Sequence, residues 1–313
     1  MKFAIIDCGT NTFHLMIAET QKDGSVKQIH KSKAVVKLAE GGILKKHINE
    51  IPFQRGIKAL LSFRKKMDTY GVTKSIAFGT AALRSAKNGK DFINQAWKQS
   101  RIKLQLITGS REAALIYKGV LLAIKPETGI SLIMDIGGGS TEFILFNEKK
   151  LLWKKSFPLG AALLLEMFPS SDPITKSEVK KINAHLSQIL QPLFKATEKW
   201  KPVRMIGASG SFETFEEIIH VKKSSVEQQN ETTSYQFSRS EYNKVHKELM
   251  ASTTAERINM KGLVKMRVDM IVMATLQLTF VLRKLNVRKM YLSRYALKEG
   301  MLSEYIISLR KKN

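Results

Sequence analysis

The sequence predicts an α/β protein of two domains with mixed sheets. Three observations predict it. The chain has 313 residues, enough for two cores at about 100–200 residues each. Short apolar runs of strand character alternate with segments whose apolar residues recur at helical spacing. One design occurs twice, at 3–19 and 132–146: an apolar strand, an aspartate, a turn of glycine and hydroxyl residues, and a second apolar strand.

In order, Phe3 to Asp7, a turn through Gly9, and Thr12 to Glu19 form a hairpin, and Gln28 to Lys37 continues the sheet. Pro52 to Tyr70 carries Phe53, Ile57, Leu60, Leu61 and Phe63 at helical spacing. A strand at Ser75 to Gly79 leads to a loop or helix at Ala81 to Ala86. A helix over Asp91 to Ser100, a strand over Leu104 to Ile107 and a helix over Glu112 to Ile124 follow. The second hairpin joins Leu132 to Asp135 with Glu142 to Phe146. Thr175 to Trp200 reads as one or two helices, Val203 to Ile206 as a strand, and the polar stretch Val221 to Ser240 as a loop or short excursion. Helices at Ser240 to Met250 and Val264 to Leu285, a strand at Lys289 to Leu292 and a helix at Ala296 to Leu309 close the chain.

Lys and Arg number 52 against 27 Asp and Glu, a net charge of +25. A field of that sign draws polyanions and raises their encounter rate; solubility is the plainer reading. No apolar run reaches the ~18 residues of a membrane span. The nearest, Ile271 to Leu282, holds Thr275, Gln277 and Thr279 and reads as a buried helix. No signal peptide is read at the N-terminus. Cys8 is the one cysteine. That suits a reducing, cytoplasmic location, with Cys8 as a buried packing residue.

The two aspartate–glycine turns carry the chemistry. A glycine turn lets backbone N–H groups reach an anion without a Cβ in the way. Thr10, Thr12, Ser140 and Thr141 add hydroxyl donors. Asp7 and Asp135, each leading into its turn, stand where a phosphate-bound Mg²⁺ is met directly or through water. Either turn alone is as readily a tight hairpin; the two together point to phosphate. A third turn, Gly207-Ala-Ser-Gly-Ser211, again follows an apolar strand, and Gly207, Ser209, Gly210 and Ser211 join the anion-binding set. There is no Gly-x-x-x-x-Gly-Lys-Ser/Thr, no Gly-x-Gly-x-x-Gly after the first strand and no Gly-x-Ser-x-Gly. The six histidines have no metal-ligand spacing.

Asp7-Cys-Gly-Thr-Asn-Thr12, Gly79-Thr-Ala-Ala-Leu-Arg84, Glu112-Ala-Ala-Leu-Ile116 and Asp135-Ile-Gly-Gly-Gly-Ser-Thr-Glu142 resemble segments of the exopolyphosphatase / guanosine pentaphosphate phosphohydrolase (Ppx/GppA) family. So do Pro158-Leu-Gly160, Gly207 to Ser211, Arg267-Val-Asp269 and Ser293 to Gly300. The family belongs to the actin-like ATPase superfamily. The resemblance implies two ribonuclease H-like domains with mixed sheets around a central cleft: 1–122 plus 293–313, and 123–292 between.

It implies in-line attack of water on a terminal phosphorus, which needs positioning and charge neutralisation more than covalent catalysis. Glu112 matches the carboxylate that orients or deprotonates the water, and Arg84 a basic residue that neutralises the scissile phosphate. Asp135 and Glu142 match acidic metal residues, beside Asp7. The phosphate-binding positions are Gly9, Thr10, Asn11 and Thr12, then Gly137, Gly138, Gly139, Ser140 and Thr141. Mg²⁺ or another divalent cation is the implied cofactor. Inorganic polyphosphate is the first substrate reading and guanosine pentaphosphate the alternative. Neither a membrane nor a specific nucleic acid is expected as partner, and a homodimer is admitted. Arg111 stands where the family commonly has a first Glu; it is expected to lower the pKa of Glu112 and attract substrate. A kinase of the same superfamily and a non-catalytic polyanion binder are the other readings, the binder opposed by Glu112, Asp135 and Glu142.

Overall fold

The computed structural model describes residues 1–21, 25–223 and 232–310. The chain forms two compact units, Met1–Leu115 with Leu297–Asn313, and Ile116–Ala296.

Unit 1 contains β1 (Lys2–Cys8), β2 (Thr12–Thr20), β3 (Val26–Val35), α1 (Glu50–Thr69), β4 (Lys74–Gly79), α2 (Ala81–Ser85), α3 (Gly89–Ser100) and β5 (Leu104–Leu106). It also holds the start of α4 (Gly109–Ala123). Its sheet order is β3-β2-β1-β4-β5. The β1–β2 and β2–β3 pairs are antiparallel, while β4 and β5 join in parallel. Strand alternation sets the core: Ala4, Ile6 and Cys8 on one face of β1 pack with Phe13, Leu15 and Ile17 of β2 and with Phe53, Ile57, Leu60 and Phe92. Cys8 is fully buried.

Unit 2 contains β6 (Ile130–Ile136), β7 (Thr141–Phe146), β8 (Leu151–Phe157), α5 (Ala161–Met167), α6 (Lys176–Ile189), α7 (Gln191–Lys199), β9 (Pro202–Gly207) and α8 (Gly210–Lys223). It continues through β10 (Ser234–Phe237), α9 (Arg239–Ala251), α10 (Thr254–Asn259), α11 (Ile271–Lys284) and β11 (Lys289–Ser293). Its sheet runs β10-β11-β9-β6-β7-β8. Apart from the added edge strand β10, this repeats unit 1: an antiparallel three-strand meander, then two parallel strands beside its first strand. The last helix, α12 (Leu297–Arg310), belongs to unit 1.

Several elements differ from the sequence reading. The polar stretch 221–240 is not all loop. α8 runs to Lys223, and Ser234–Phe237 is the edge strand β10, its Tyr235 and Phe237 alternating with polar residues; 224–231 lie outside the described residues. β8, α5 and α10 were not expected. In β8, adjacent Lys154 and Lys155 blur the period of two, and α5 and α10 are too short for a helical pattern. Thr175 to Trp200 is two helices, with Pro192 at the start of the second. α11 starts at Ile271, after a short 3₁₀ turn at Lys265–Arg267. Its residues Ile271 to Leu282 are buried apart from Phe280. Among the described residues no helix is long and apolar enough to cross a membrane.

Candidate active site

The first turn joins β1 to β2. Gly9 N–H donates to Thr12 O at 3.1 Å and closes it. The carbonyl of Thr10 accepts from Leu38 N–H at 2.7 Å, and that of Asn11 from the N–H groups of Val36 and Lys37, both at 2.9 Å. In a trans peptide the C=O and the following N–H point in opposite directions. With the Thr10 carbonyl held by residue 38, the Asn11 N–H is aimed the other way, out of the turn.

The turn between β6 and β7 is closed in the same way, but its outer carbonyls are taken one residue earlier. Gly137 N–H donates to Ser140 O at 3.0 Å. The Gly137 carbonyl accepts from Ala161 N–H at 2.9 Å, and the Gly138 carbonyl from Ala162 and Leu163 N–H, both at 3.0 Å. The Gly138 and Gly139 N–H groups therefore point away from α5. The packing is close: a Cβ on Gly160 would lie 2.1 Å from Gly138 O. Ser140 is buried beside the turn. Thr141 departs from expectation, because its fully buried hydroxyl donates to Leu159 O at 3.0 Å and contacts Gln277 Oε1 at 3.3 Å. A hydroxyl so placed fastens the turn to its own unit and is not available as a phosphate donor.

The third turn follows β9, which lies parallel to β6; Ala208 N–H donates to Met134 O at 3.1 Å. The turns after β6 and β9 therefore adjoin at the carboxyl ends of parallel strands, where open α/β sheets bind ligands. Gly207 is required by Phe212, whose ring would meet a Cβ at 2.0 Å. Ser209 Oγ is enclosed without a hydrogen-bond partner among the described residues. Gly210 opens α8, and Arg267 lies against it: a Cβ there would sit 1.5 Å from Arg267 Nη2. Arg267 Nη1 donates to Thr214 Oγ1 at 2.7 Å. Arg267 was read only as part of a matching segment; its place on Gly210 has no local sequence signal.

In unit 1 the acidic and basic residues converge. Glu112 lies in the first turn of α4, and its carboxylate, 9% exposed, accepts from Arg84 Nη1 at 2.9 Å. The same nitrogen donates to Ile107 O at 2.8 Å, which fixes the guanidinium. Burial pushes the Glu112 pKa up, and Arg84 pulls the other way. Asp7 lies at the end of β1 with Oδ1 enclosed and without a hydrogen-bond partner among the described residues. Burial is the main cause of its pKa rising to about 7; Lys298 opposes the rise, and Glu112 and Glu299 add to it. Lys298 and Glu299 come from α12 and were not foreseen as neighbours of Asp7.

Arg111 corrects an expectation. Its guanidinium turns to Glu304 on α12, Nη1 donating to Oε1 at 2.7 Å. The charge is matched there, and Glu112 is shifted up rather than down.

In unit 2, Asp135 and Glu142 are directly opposed residues of β6 and β7, so both carboxylates leave one face of the sheet. Glu142 Oε1 accepts from Ser156 Oγ at 2.6 Å. Among the described residues no group of three His, Cys, Asp or Glu could hold a metal ion. The donor chemistry nonetheless fits a hard cation that takes few carboxylates and keeps its waters. An enclosed, unbonded carboxylate oxygen is costly unless a cation satisfies it, and that is the state of Asp7 Oδ1.

The sequence model of the Ppx/GppA phosphatase family matches residues 16–308. The chain belongs to the Ppx/GppA phosphatase family. It is similar to a crystal structure described as an exopolyphosphatase from Cytophaga hutchinsonii, with 37% identity, 98% of each chain covered and a TM-score of 0.95. It is 28% identical, over 99% of its own length, to a guanosine-5'-triphosphate,3'-diphosphate pyrophosphatase of Vibrio cholerae, and spans 60% of that protein. The Aquifex aeolicus member of the Ppx/GppA family, 24% identical, shares the fold with a TM-score of 0.77 over 100% of this chain and 99% of that one. The chain is thus a Ppx/GppA phosphatase with the two-sheet α/β architecture of the actin-like ATPase fold.

Proposed function

We propose that this Ppx/GppA phosphatase is an exopolyphosphatase, releasing terminal orthophosphate from inorganic polyphosphate by in-line attack of water. The observation that carries the reading is the Glu112–Arg84 pair, a buried carboxylate and a fixed guanidinium 2.9 Å apart in unit 1. Burial raises the basicity of Glu112 above that of an exposed carboxylate, which suits a group that accepts a proton from water near neutral pH. Arg84 keeps that carboxylate oriented and carries the charge to balance a phosphate brought to the pair. Within unit 1 the outward N–H groups of the 9–12 turn offer donors to phosphate oxygens, and within unit 2 the 137–140 and 207–211 turns do the same, the latter with Ser209 Oγ.

Each unit has its own candidate to hold a divalent cation, Mg²⁺ first: Asp7 in unit 1, and Asp135 with Glu142 in unit 2. It would supply positive charge to the phosphate oxygens. The net charge of +25 favours a long polyanion, and so does the similarity to the Cytophaga exopolyphosphatase. A second reading, hydrolysis of guanosine pentaphosphate at the same site, is favoured by the similarity to the Vibrio protein across 99% of this chain.

Phosphate release from long-chain polyphosphate, guanosine pentaphosphate and ATP, each with and without Mg²⁺, tests the proposal. Polyphosphate turnover well above the other two is expected. Release from guanosine pentaphosphate alone would replace the first reading by the second, and release from none would end both.

A further inference from the structure

The two meanders repeat one another, and so do the rows of residues that cross them. In unit 1, Asp7 of β1 stands opposite His14 of β2, and His14 opposite Lys33 of β3. In unit 2 the corresponding row is Asp135 of β6, Glu142 of β7 and Ser156 of β8. Directly opposed residues of antiparallel strands leave the same face of a sheet. The acid of the first row is followed by an imidazole and an ammonium, whereas the acid of the second is followed by another acid. Like charges directly opposite one another are unfavourable, and Glu142 is buried, with 2% of its surface exposed. A carboxylate in that position has to be given hydrogen-bond donors or a cation.

Ser156 is such a donor. Its hydroxyl gives a hydrogen bond of 2.6 Å to Glu142 Oε1, within the short range of hydroxyl-to-carboxylate bonds. Asp135 and Ser156 flank Glu142 from opposite sides, so this bond draws the Glu142 carboxylate toward β8 and away from Asp135. A glutamate has three side-chain torsions and would otherwise be free to swing across its strand. Ser156 is two strand spacings, about 10 Å, from Asp135. That is too far for so short a side chain, so the hydroxyl acts on Glu142 and not on Asp135.

We propose that Ser156 is a positioning residue for phosphate release: its hydroxyl holds the Glu142 carboxylate on the β8 side and so keeps apart the two acids of unit 2's candidate cation pair. The tie itself follows from unit 2 alone; its effect on turnover rests on the phosphatase reading. Without the hydroxyl, Glu142 keeps its place on β7 but loses its fixed direction. The glycine turns offered to phosphate are untouched by the change, so kcat carries the loss and KM does not.

Threonine and valine at position 156 test this, because both are β-branched, suit a strand and share a shape, and only threonine has a hydroxyl. In phosphate release from long-chain polyphosphate and from guanosine pentaphosphate, Ser156→Thr is expected to keep kcat near that of the parent. Ser156→Val is expected to lower it about 10–100-fold with KM nearly unchanged. Ser156→Ala should follow Ser156→Val, and takes its place if that variant melts early. A readout that needs no turnover is the carbon-13 spectrum of protein labelled at the glutamate carboxyl carbon, with the Glu142 resonance identified by its loss in Glu142→Gln. That resonance is expected to hold its position in Ser156→Thr and to move in Ser156→Val. Equal kcat in the two variants, or a KM that rises in step with the loss of kcat, overturns the positioning role. A Glu142 resonance that does not distinguish them overturns the tie. No release from either compound by the parent chain would strike the phosphatase reading and the effect on turnover with it, and the resonance would still decide the tie.

Discussion

The two hairpin turns are closed by the same hydrogen bond and carry different side chains, and they are held by different neighbours. At 9–12 the middle residues are Thr10 and Asn11, and the segment that takes their carbonyls is the extended stretch 36–38. At 137–140 the middle residues are Gly138 and Gly139, and the first turn of α5 takes the carbonyls of Gly137 and Gly138. A helix end presents several N–H groups at once and comes closer; Gly160, just before it, leaves no room for a methyl against Gly138 O. The packing demand inside unit 2 thus falls on Gly160. Unit 1, free of that demand, keeps side chains in its turn and gathers Asp7, Arg84, Glu112 and Lys298 beside it. The outward N–H groups belong to both turns; the clustering of charge around a buried glutamate belongs to unit 1.

The comparison can be broken at several points. The largest expected effect is in unit 1: Glu112→Gln should lower kcat for phosphate release by about 10²–10⁴-fold with a fold intact by circular dichroism, and near-parental turnover would remove Glu112 from the chemistry. Next is a pair of glycines. Gly160→Ala drives a methyl into the Gly138 carbonyl at 2.1 Å, and about 1–3 kcal/mol of stability should be lost in urea melts. Gly9→Ala meets Thr12 O at 3.0 Å and should cost less. Equal costs would mean the two turns are packed alike.

A third test is pH. Burial first, with Arg283 and Arg239, holds His246 of unit 2 down at about 4, against an ordinary value of 6.5. Its Nδ1 is 3.1 Å from Thr275 Oγ1, beside Tyr242. The folded state resists protonating this imidazole, so its contribution is full above pH 6.5 and shrinks as pH falls toward 4. Melting temperature should drop over that window, and His246→Gln should flatten the slope; a parallel slope in the variant would assign the drop elsewhere. The smallest effect is expected at Arg111. Its pair with Glu304 is partly exposed, so Arg111→Ala should change stability by less than ~1 kcal/mol and leave KM unchanged. A several-fold rise in KM would restore Arg111 to substrate attraction.

Much of this was legible in the sequence because it is local. Both hairpins follow from apolar alternation ended by aspartate and glycine, and Glu112 and Arg84 from short motifs. What could not be read was set by distant partners or by brevity. Tyr305 covers Phe3 only because α12 returns to β1. The Thr141 hydroxyl looks like a donor to phosphate until Leu159 and Gln277 appear beside it. Arg111 looks like a site charge until Glu304 takes it. β8 and β10 hide because lysines and polar residues interrupt or shorten their pattern.

The packing of α12 on β1 has a consequence for synthesis. Phe3 leaves the ribosome just over three hundred residues ahead of Tyr305, the ring that covers it. The first sheet must therefore wait, one apolar face bare, while the whole of unit 2 is translated. A chain halted before α12 would have every glycine turn and still carry Phe3 and Ile5 open to water, a natural handle for chaperones.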